Sequence, residues 1–304
     1  MADRLLWLYV MNPKGLAVLD SILDHVGPEA VSAVVSARDL ATSDDCYERI
    51  RQLSQAYELQ FYDRTSAPSH ADGYALFAGW RWLTTPSPRS IILHDSLLPR
   101  YRGFAPLVAQ LLNAEPEVGV TAILATSEYD AGPIVGQRRV SISYPIRIAT
   151  AIERLRPLYA ELAVMVVRTI IAGGPITGVP QDEAAATYSL WRDDEDYWID
   201  WSRDAGHVRR FVDAVGPPYR GAKTCLNGSD LVTVMEAEEV SDVKIEIREP
   251  GKVMFIQDGF PTVVCGRGLL RLTKAIYRHS GEDLLPLRKL RSRFGSSRNA
   301  TPSE

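Results

Sequence analysis

The sequence predicts an α/β domain on a parallel-type sheet over residues 1–180, followed by a small β-barrel over 181–277. Three observations carry this. In the first half, apolar runs of strand length alternate with segments whose apolar residues recur at helical spacing, the pattern of a parallel sheet covered on both faces. The texture then changes after Gly173-Gly174-Pro175, where a polar connection with aromatic punctuation begins. From 222 to 277, short strand-like runs are separated by Asn227-Gly228, Pro250-Gly251, Asp258-Gly259 and Gly266-Arg267-Gly268, the turn spacing of a small barrel.

Each element has its own signal. Residues 5–11 form an apolar strand, and 14–25 carry Leu16, Val18, Leu19, Ile22 and Leu23 at helical spacing. Residues 30–36 are a Val-rich strand. An amphipathic helix over 45–57 places Tyr47, Ile50, Leu53 and Tyr57 on one face. Strands follow at 59–62, 74–80 and 91–94, then a short helix at 104–113 and strands at 119–125 and 134–142. A long helix spans 148–171. One more runs from Ser202, its expected cap, to Val215, and stops at Gly216-Pro217-Pro218. Residues 278–304 are basic, then Ser-rich, and are expected to be a disordered tail.

Composition narrows the class. With 46% hydrophobic and 24% charged residues the chain has the balance of a soluble globular protein. A net charge of -4 and a pI of about 5.8 argue against non-specific binding to a polyphosphate, and so against nucleic acid as partner. No apolar run approaches the roughly 20 residues of a membrane span. The N-terminus reads as a first strand and not as a signal peptide. Cys46, Cys225 and Cys265 are odd in number and far apart, with no metal or disulfide pattern, so a cytoplasmic home is expected.

The residues that could carry chemistry cluster after strand 91–94. Ligands bind at the carboxyl ends of strands in such sheets, and His94 sits at one of these ends. It reads either as a core histidine bonded to a carbonyl or as a group that moves a proton or steadies an oxyanion. Asp130, in "SEYDAGPIVGQ", is either a turn former or, if its loop folds over His94, the acid that tunes the imidazole; Glu128 is its rival. In "SLLPRYRG", two leucines expected to be exposed could wall an apolar slot, and Arg100 and Arg102 could meet an anion or simply be solvated. In "FAGWRW", Gly79 permits a close approach to the backbone, while Trp80 and Trp82 serve packing or a ligand. There is no phosphate-binding Gly-rich loop, nucleophile elbow or spaced histidine cluster.

Taken together these residues resemble a known family. "HDSLLPRYRG", followed by Ala105-Pro106, Gly119-Val120-Thr121 and Asp130-x-Gly132-x-Ile134-x-x-Gln137, is similar to the folate-dependent formyltransferases. That family includes methionyl-tRNA formyltransferase, sugar N-formyltransferases and glycinamide ribonucleotide formyltransferase. "ATYSLWRDDEDYWIDWS", "PYRGAKTCLNG", "EPGKV" and "VVCGRGLLRL" resemble the C-terminal domain of the tRNA and sugar enzymes. The resemblance covers roughly residues 3–277 and implies a Rossmann-like catalytic domain and an OB-like barrel. It implies 10-formyltetrahydrofolate as formyl donor and a small-molecule amine as acceptor. His94 would steady the oxyanion or take a proton, with Asp130 managing that proton. Folate would lie between 77–83 and 125–132, touching Gly79, Trp80, Arg81, Leu83, Ala125, Tyr129 and Asp130. Ser96, Leu98, Pro99, Arg100, Arg102 and Gly103 would form the substrate loop.

One position departs from the family pattern. Its Asn-x-His motif falls on Ile92-Leu93-His94, so the Asn position holds Ile92. A missing oxyanion donor costs about 10²–10³ in rate, or ~3–4 kcal/mol. The chain is therefore read as an N-formyltransferase for an amino sugar nucleotide or an amino-acid-derived amine. The alternatives are a degenerate homologue that binds without turnover, and a methionyl-tRNA formyltransferase. The acidic stretch with Asp182, Glu183, Asp193, Asp194, Glu195 and Asp196 would repel a phosphate backbone. Trp191, Tyr197, Trp198 and Trp201 could stack on a sugar nucleotide or pack the linker. A homodimer stays open.

Overall fold

The computed structural model describes residues 6–68, 73–83, 87 and 89–296. It divides into two compact units. The first comprises Met1–Gln110, Glu115–Ser143 and Thr150–Trp191; the second comprises Leu111–Ala114, Tyr144–Ala149 and Arg192–Glu304.

In chain order the first unit begins with β1 (Leu6–Val10), α1 (Asn12–His25), β2 (Val31–Ser36), α2 (Tyr47–Ala56), β3 (Phe61–Asp63), β4 (Tyr74–Ala78) and β5 (Ser90–His94). It continues with β6 (Arg102–Gly103), α3 (Pro106–Leu112), β7 (Glu117–Leu124), β8 (Ile134–Ser141), α4 (Ile148–Ile171) and β9 (Tyr188–Ser189). Seven strands form one sheet in the order β3-β2-β1-β4-β5-β7-β8. The pairings from β3 to β5 are parallel, as a doubly wound pattern requires. β7 and β8 run antiparallel. The seven-residue α3, about 10 Å long, is too short to carry the chain back along the sheet. β7 therefore starts near the His94 end and returns beside β5.

The helices α1 and α4 are neighbours. Lys14 of α1 lies over the Tyr159 ring of α4 at 5.6 Å, and Arg168 donates to the His25 carbonyl at 3.1 Å. A separate core cluster is built from strand residues Tyr9, Val35, Ala75 and Phe77, with Trp7, Tyr62, Ile92, Ala67 and Trp80 packed against it. Tyr9 and Phe77 stack at 4.5 Å, and Trp80 meets Tyr9 edge-on at 5.3 Å. This layer is closed by aromatic and loop side chains; none of the residues that form it is helical.

The second unit contains α5 (Ala205–Val215), β10 (Ala222–Leu226), β11 (Asp230–Val240), β12 (Val253–Gln257), β13 (Phe260–Val264), β14 (Leu269–Tyr277) and β15 (Phe294–Gly295). Its six strands are antiparallel in the order β12-β13-β14-β11-β10-β15. The register of β11 against β14 shifts on both sides of Glu236, and such irregularities bend a sheet. Burial pushes the Cys265 thiol of this core up to about 12. The Cys46 thiol of the first unit rises to about 12 for the same reason, so both are poor nucleophiles.

Two expectations are corrected by the structure. The last helix is capped by Asp204, whose Oδ1 accepts the His207 N–H at 2.8 Å; Ser202 instead turns back onto Asp200. The supposed disordered tail from 278 is structured to 296, and 297–304 lie outside the described residues. Lys252 bridges to Arg293, Val253 N–H donates to Ser292 O at 3.0 Å and Phe294 N–H to Gly251 O at 2.8 Å. These bonds join the two edge strands and close the barrel, which removes both exposed edges. Leu284, Leu287 and Phe294 are buried, and Phe294 packs on Trp201 at 5.9 Å. Scattered between basic and serine residues, these three anchors were invisible to average composition.

Replacing the buried Phe294 by Ala should cost about 3–5 kcal/mol. Chemical denaturation followed by the barrel's tryptophan fluorescence checks this; an unchanged midpoint would show that 292–295 does not close the sheet.

Candidate active site

Strand β5 alternates its side chains, so Ser90, Ile92 and His94 share a face. That face is the aromatic one, because Ile92 packs into the layer of Tyr9 and Phe77. His94 is buried at the strand end and held by both ring nitrogens. Nε2 lies 2.8 Å from the Tyr101 carbonyl oxygen. A carbonyl can only accept, so Nε2 carries a hydrogen. Nδ1 lies 3.4 Å from Asp130 Oδ2, which also accepts the Gly103 N–H at 2.8 Å. With Nε2 protonated, a neutral ring would turn a lone pair from Nδ1 toward the carboxylate. The contact becomes attractive only when a proton sits on Nδ1 or on the acid.

Asp130 reaches His94 because its loop folds back. Ala125 N–H donates to Ser90 O at 2.8 Å, at the opposite end of β5. The chain then returns across the strand to Asp130, whose φ of 51° lies in the left-handed region that Asp tolerates better than most residues. A Cβ on Gly132 would overlap the Leu124 carbonyl oxygen, so only glycine lets the loop rejoin β8.

The loop after His94 is shaped by buried polar bonds. Thr121 Oγ donates to Ser96 O at 2.6 Å and accepts the Leu98 N–H at 3.2 Å. Gln137 Nε2 donates to Leu98 O at 2.8 Å and to Thr121 Oγ at 2.9 Å. Ser96 Oγ donates to the Arg100 carbonyl at 2.7 Å, and Pro99 O accepts the Thr187 N–H at 3.2 Å. Gly103 adopts φ 95° beside the Ser189 carbonyl. Several sequence readings change. Leu98 is buried, and Leu97 is half-buried against Gly119, so no exposed leucine pair walls a slot. Arg100 pairs with Glu115 at 2.5 Å. Arg102 is fully buried and pairs with Glu183 at 2.7 Å, so its guanidinium is not free for a substrate anion.

The expected cofactor residues fall into two groups. Gly79, at φ 65°, is approached by Asn12, whose Nδ2 donates to Gly79 O at 3.0 Å; its close neighbour is thus a side chain of the protein. Trp80 belongs to the aromatic layer, and Arg81 pairs with Asp39 at 2.5 Å. Ala125 is buried. Leu83 and Tyr129 are 68% and 56% exposed, and Phe104 lies 6.0 Å from Tyr129. Ile92 stands between Phe77 and Ile123 in register and supplies no donor.

Sequence reasoning missed the support under His94. Asp95 pairs with the buried Lys14 and accepts the Tyr159 hydroxyl at 2.5 Å, which pins the strand end to α1 and α4. Asp95 stood in the quoted motif, but its partners lie 81 and 64 residues away. The acidic stretch is also partly neutralised. Glu183 is held low by Arg102, and Asp194 is held low by Lys223, with Arg278 and Arg220 nearby. The charge argument against a phosphate backbone weakens accordingly. Trp201 is no stacking platform: it is buried and donates to Thr224 Oγ at 3.0 Å. Trp198 lies against Lys223, and Tyr197 beneath Arg192; Trp191 is exposed.

This fold recurs in known proteins. Residues 65–167 match the family model described as formyl transferase, and 192–282 match that of the formyl transferase C-terminal domain. The chain belongs to the formyl transferase family. It is 34% identical over 190 residues to a methionyl-tRNA formyltransferase of Roseiflexus sp. (strain RS-1), covering 62% of this chain and 57% of that protein. It thus spans under three-fifths of the length of the curated relatives it matches. By fold it is similar to the Helicobacter canadensis N-formyltransferase solved with folinic acid and dTDP-3-aminofucose. That match has a TM-score of 0.63 at 15% identity, over 88% of this chain and 98% of the other. It is also similar to HypX from Aquifex aeolicus solved with tetrahydrofolic acid, with a TM-score of 0.56 at 18% identity, over 92% of this chain and 45% of the other.

Gly132→Ala should displace the Asp130 loop. Its thermal midpoint should fall by several degrees and the His94 ring resonance should shift; a variant that melts and resonates like the wild type would refute the close approach to Leu124.

Proposed function

We propose that the chain is an N-formyltransferase that takes a formyl group from 10-formyltetrahydrofolate and passes it to a small-molecule amine. The observation that carries the reading is the His94–Asp130 pair, in which a buried imidazole at a strand end faces a half-buried carboxylate at 3.4 Å. The folate supplies an activated formyl carbon. Exposed apolar side chains on the surrounding loops, Leu83, Phe104 and Tyr129, suit a flat ring system, which would bury them. As the acceptor nitrogen bonds to that carbon, the carbonyl electrons move to oxygen. With a proton on Nδ1, the nitrogen not taken by the Tyr101 carbonyl, the imidazole can donate to that oxygen. Asp130 takes the proton that the amine loses and returns it to the departing folate nitrogen as the carbonyl re-forms. Proton transfers of this kind contribute about 10²–10⁴ in rate.

The acceptor is proposed to be an amino sugar nucleotide or an amino-acid-derived amine. The similar fold solved with dTDP-3-aminofucose supports the first. The identity to a methionyl-tRNA formyltransferase, with the partly neutralised acidic stretch, supports aminoacyl-tRNA as a second acceptor class. A reading without turnover rests on Ile92, which has no donor where the family pattern has one.

A turnover assay with 10-formyltetrahydrofolate and a panel of amino sugar nucleotides, amino-acid amines and methionyl-tRNA separates these readings. Activity should fall at least 10²-fold in His94→Ala and Asp130→Asn. Full activity in either variant would overturn the roles of the imidazole and the carboxylate. If the wild type binds folinic acid but transfers nothing, Ile92→Asn should create turnover, by about 10²–10³-fold over background.

A further inference from the structure

The segment between α4 and the second unit does more than connect. We propose that residues 181–189 form a strap that sets the catalytic geometry, and that Gln181 is the positioning residue for Asp130; this rests on the formyl-transfer reading above. Every polar hydrogen and acceptor position of the Gln181 amide is used. Its Nε2 donates to the carbonyl oxygens of Asp130 and Gly132, both at 2.7 Å. Its Oε1 accepts from Arg102 Nε at 3.1 Å and Nη2 at 2.9 Å. Only this orientation of the amide lets all four contacts be hydrogen bonds, since carbonyls accept and a guanidinium donates.

Arg102 is in turn locked. It is fully buried, and Glu183 takes its two terminal nitrogens at 2.7 and 2.8 Å. A bidentate pair of this kind fixes direction as well as charge. The strap then reaches the other side of the site. Thr187 Oγ accepts the Tyr101 N–H at 2.9 Å, and Thr187 O accepts the Arg102 N–H at 2.8 Å. Tyr101 carries the carbonyl that holds His94 Nε2. One short segment therefore anchors both partners of the imidazole: the Asp130 loop through Gln181 and the Tyr101 carbonyl through Thr187. Asp130 needs the help, because its backbone is left-handed and its loop is otherwise exposed on the Glu128–Tyr129 side.

Gln181→Glu is the sharpest test. It keeps size and can still accept from Arg102, but it cannot donate to either carbonyl. In this variant and in Gln181→Ala, kcat should fall about 10²-fold with the KM for the formyl donor nearly unchanged. In an Asp130→Asn background, Gln181→Glu should cost nothing further, because its effect runs through Asp130. A purely structural role would instead lower both backgrounds alike. The His94 Cε1–H resonance supplies a readout free of turnover: Gln181→Glu should move it toward its position in Asp130→Asn. An unmoved resonance, or full additivity with Asp130→Asn, overturns the strap. If the resonance moves as expected but the wild type transfers formyl to no acceptor, the strap stands and the reaction assigned to the site falls.

Discussion

The His94 imidazole is held from both ends, and most of the first unit can be understood as the means of holding it. One nitrogen is tied to the Tyr101 carbonyl and the other faces Asp130. Neither partner belongs to β5. Tyr101 comes from a loop shaped by Thr121, Gln137 and Ser96, and Asp130 from a loop that doubles back from the far end of the strand. Buried polar groups are costly unless partnered, so these bonds leave the loops few alternative conformations. Beneath them, Asp95 joins the strand end to Lys14 and Tyr159, which ties the site to the helical layer.

Ile92 is the other constraint, and it is coupled to packing. It lies on the His94 face but is half-buried against the cluster of Tyr9, Val35, Ala75 and Phe77. An amide in that layer would have to find hydrogen-bond partners to offset its desolvation, whereas isoleucine needs none. The departure from the family pattern and the aromatic layer are thus consistent with one another.

The second unit shows the same economy of closure. Its sheet would present two open edges, and residues 292–295 join them. Phe294 seals the end by packing on Trp201, whose indole nitrogen is satisfied by Thr224. Lys223 is buried with Asp194 as its carboxylate and the Trp198 ring beside it, a cation placed where both charge and aromatic face can meet it.

Much of this was legible in the residues. Alternating strand and helix patterns predicted the sheet of the first unit because hydrophobic periodicity is a local property, and the His-Asp-Ser-Leu-Leu-Pro block marked the strand end for the same reason. His94 and Asp130 could be named as candidates, since an imidazole before a Pro- and Gly-bearing loop and an acid before Ala-Gly-Pro are local signals. What only the tertiary structure decided are the pairings across distance. Arg102 read as a substrate anchor, but Glu183 and Gln181 bury it, 81 and 79 residues further along. The tail read as disordered, but Leu284, Leu287 and Phe294 are buried and residues 292–294 bond to the β12 edge. Gln181 carried no signal of its own, because a glutamine's role depends on which carbonyls and guanidinium surround it. Periodicity and local motif are written along the chain, but hydrogen-bond partners are set by the fold that brings them within about 3 Å.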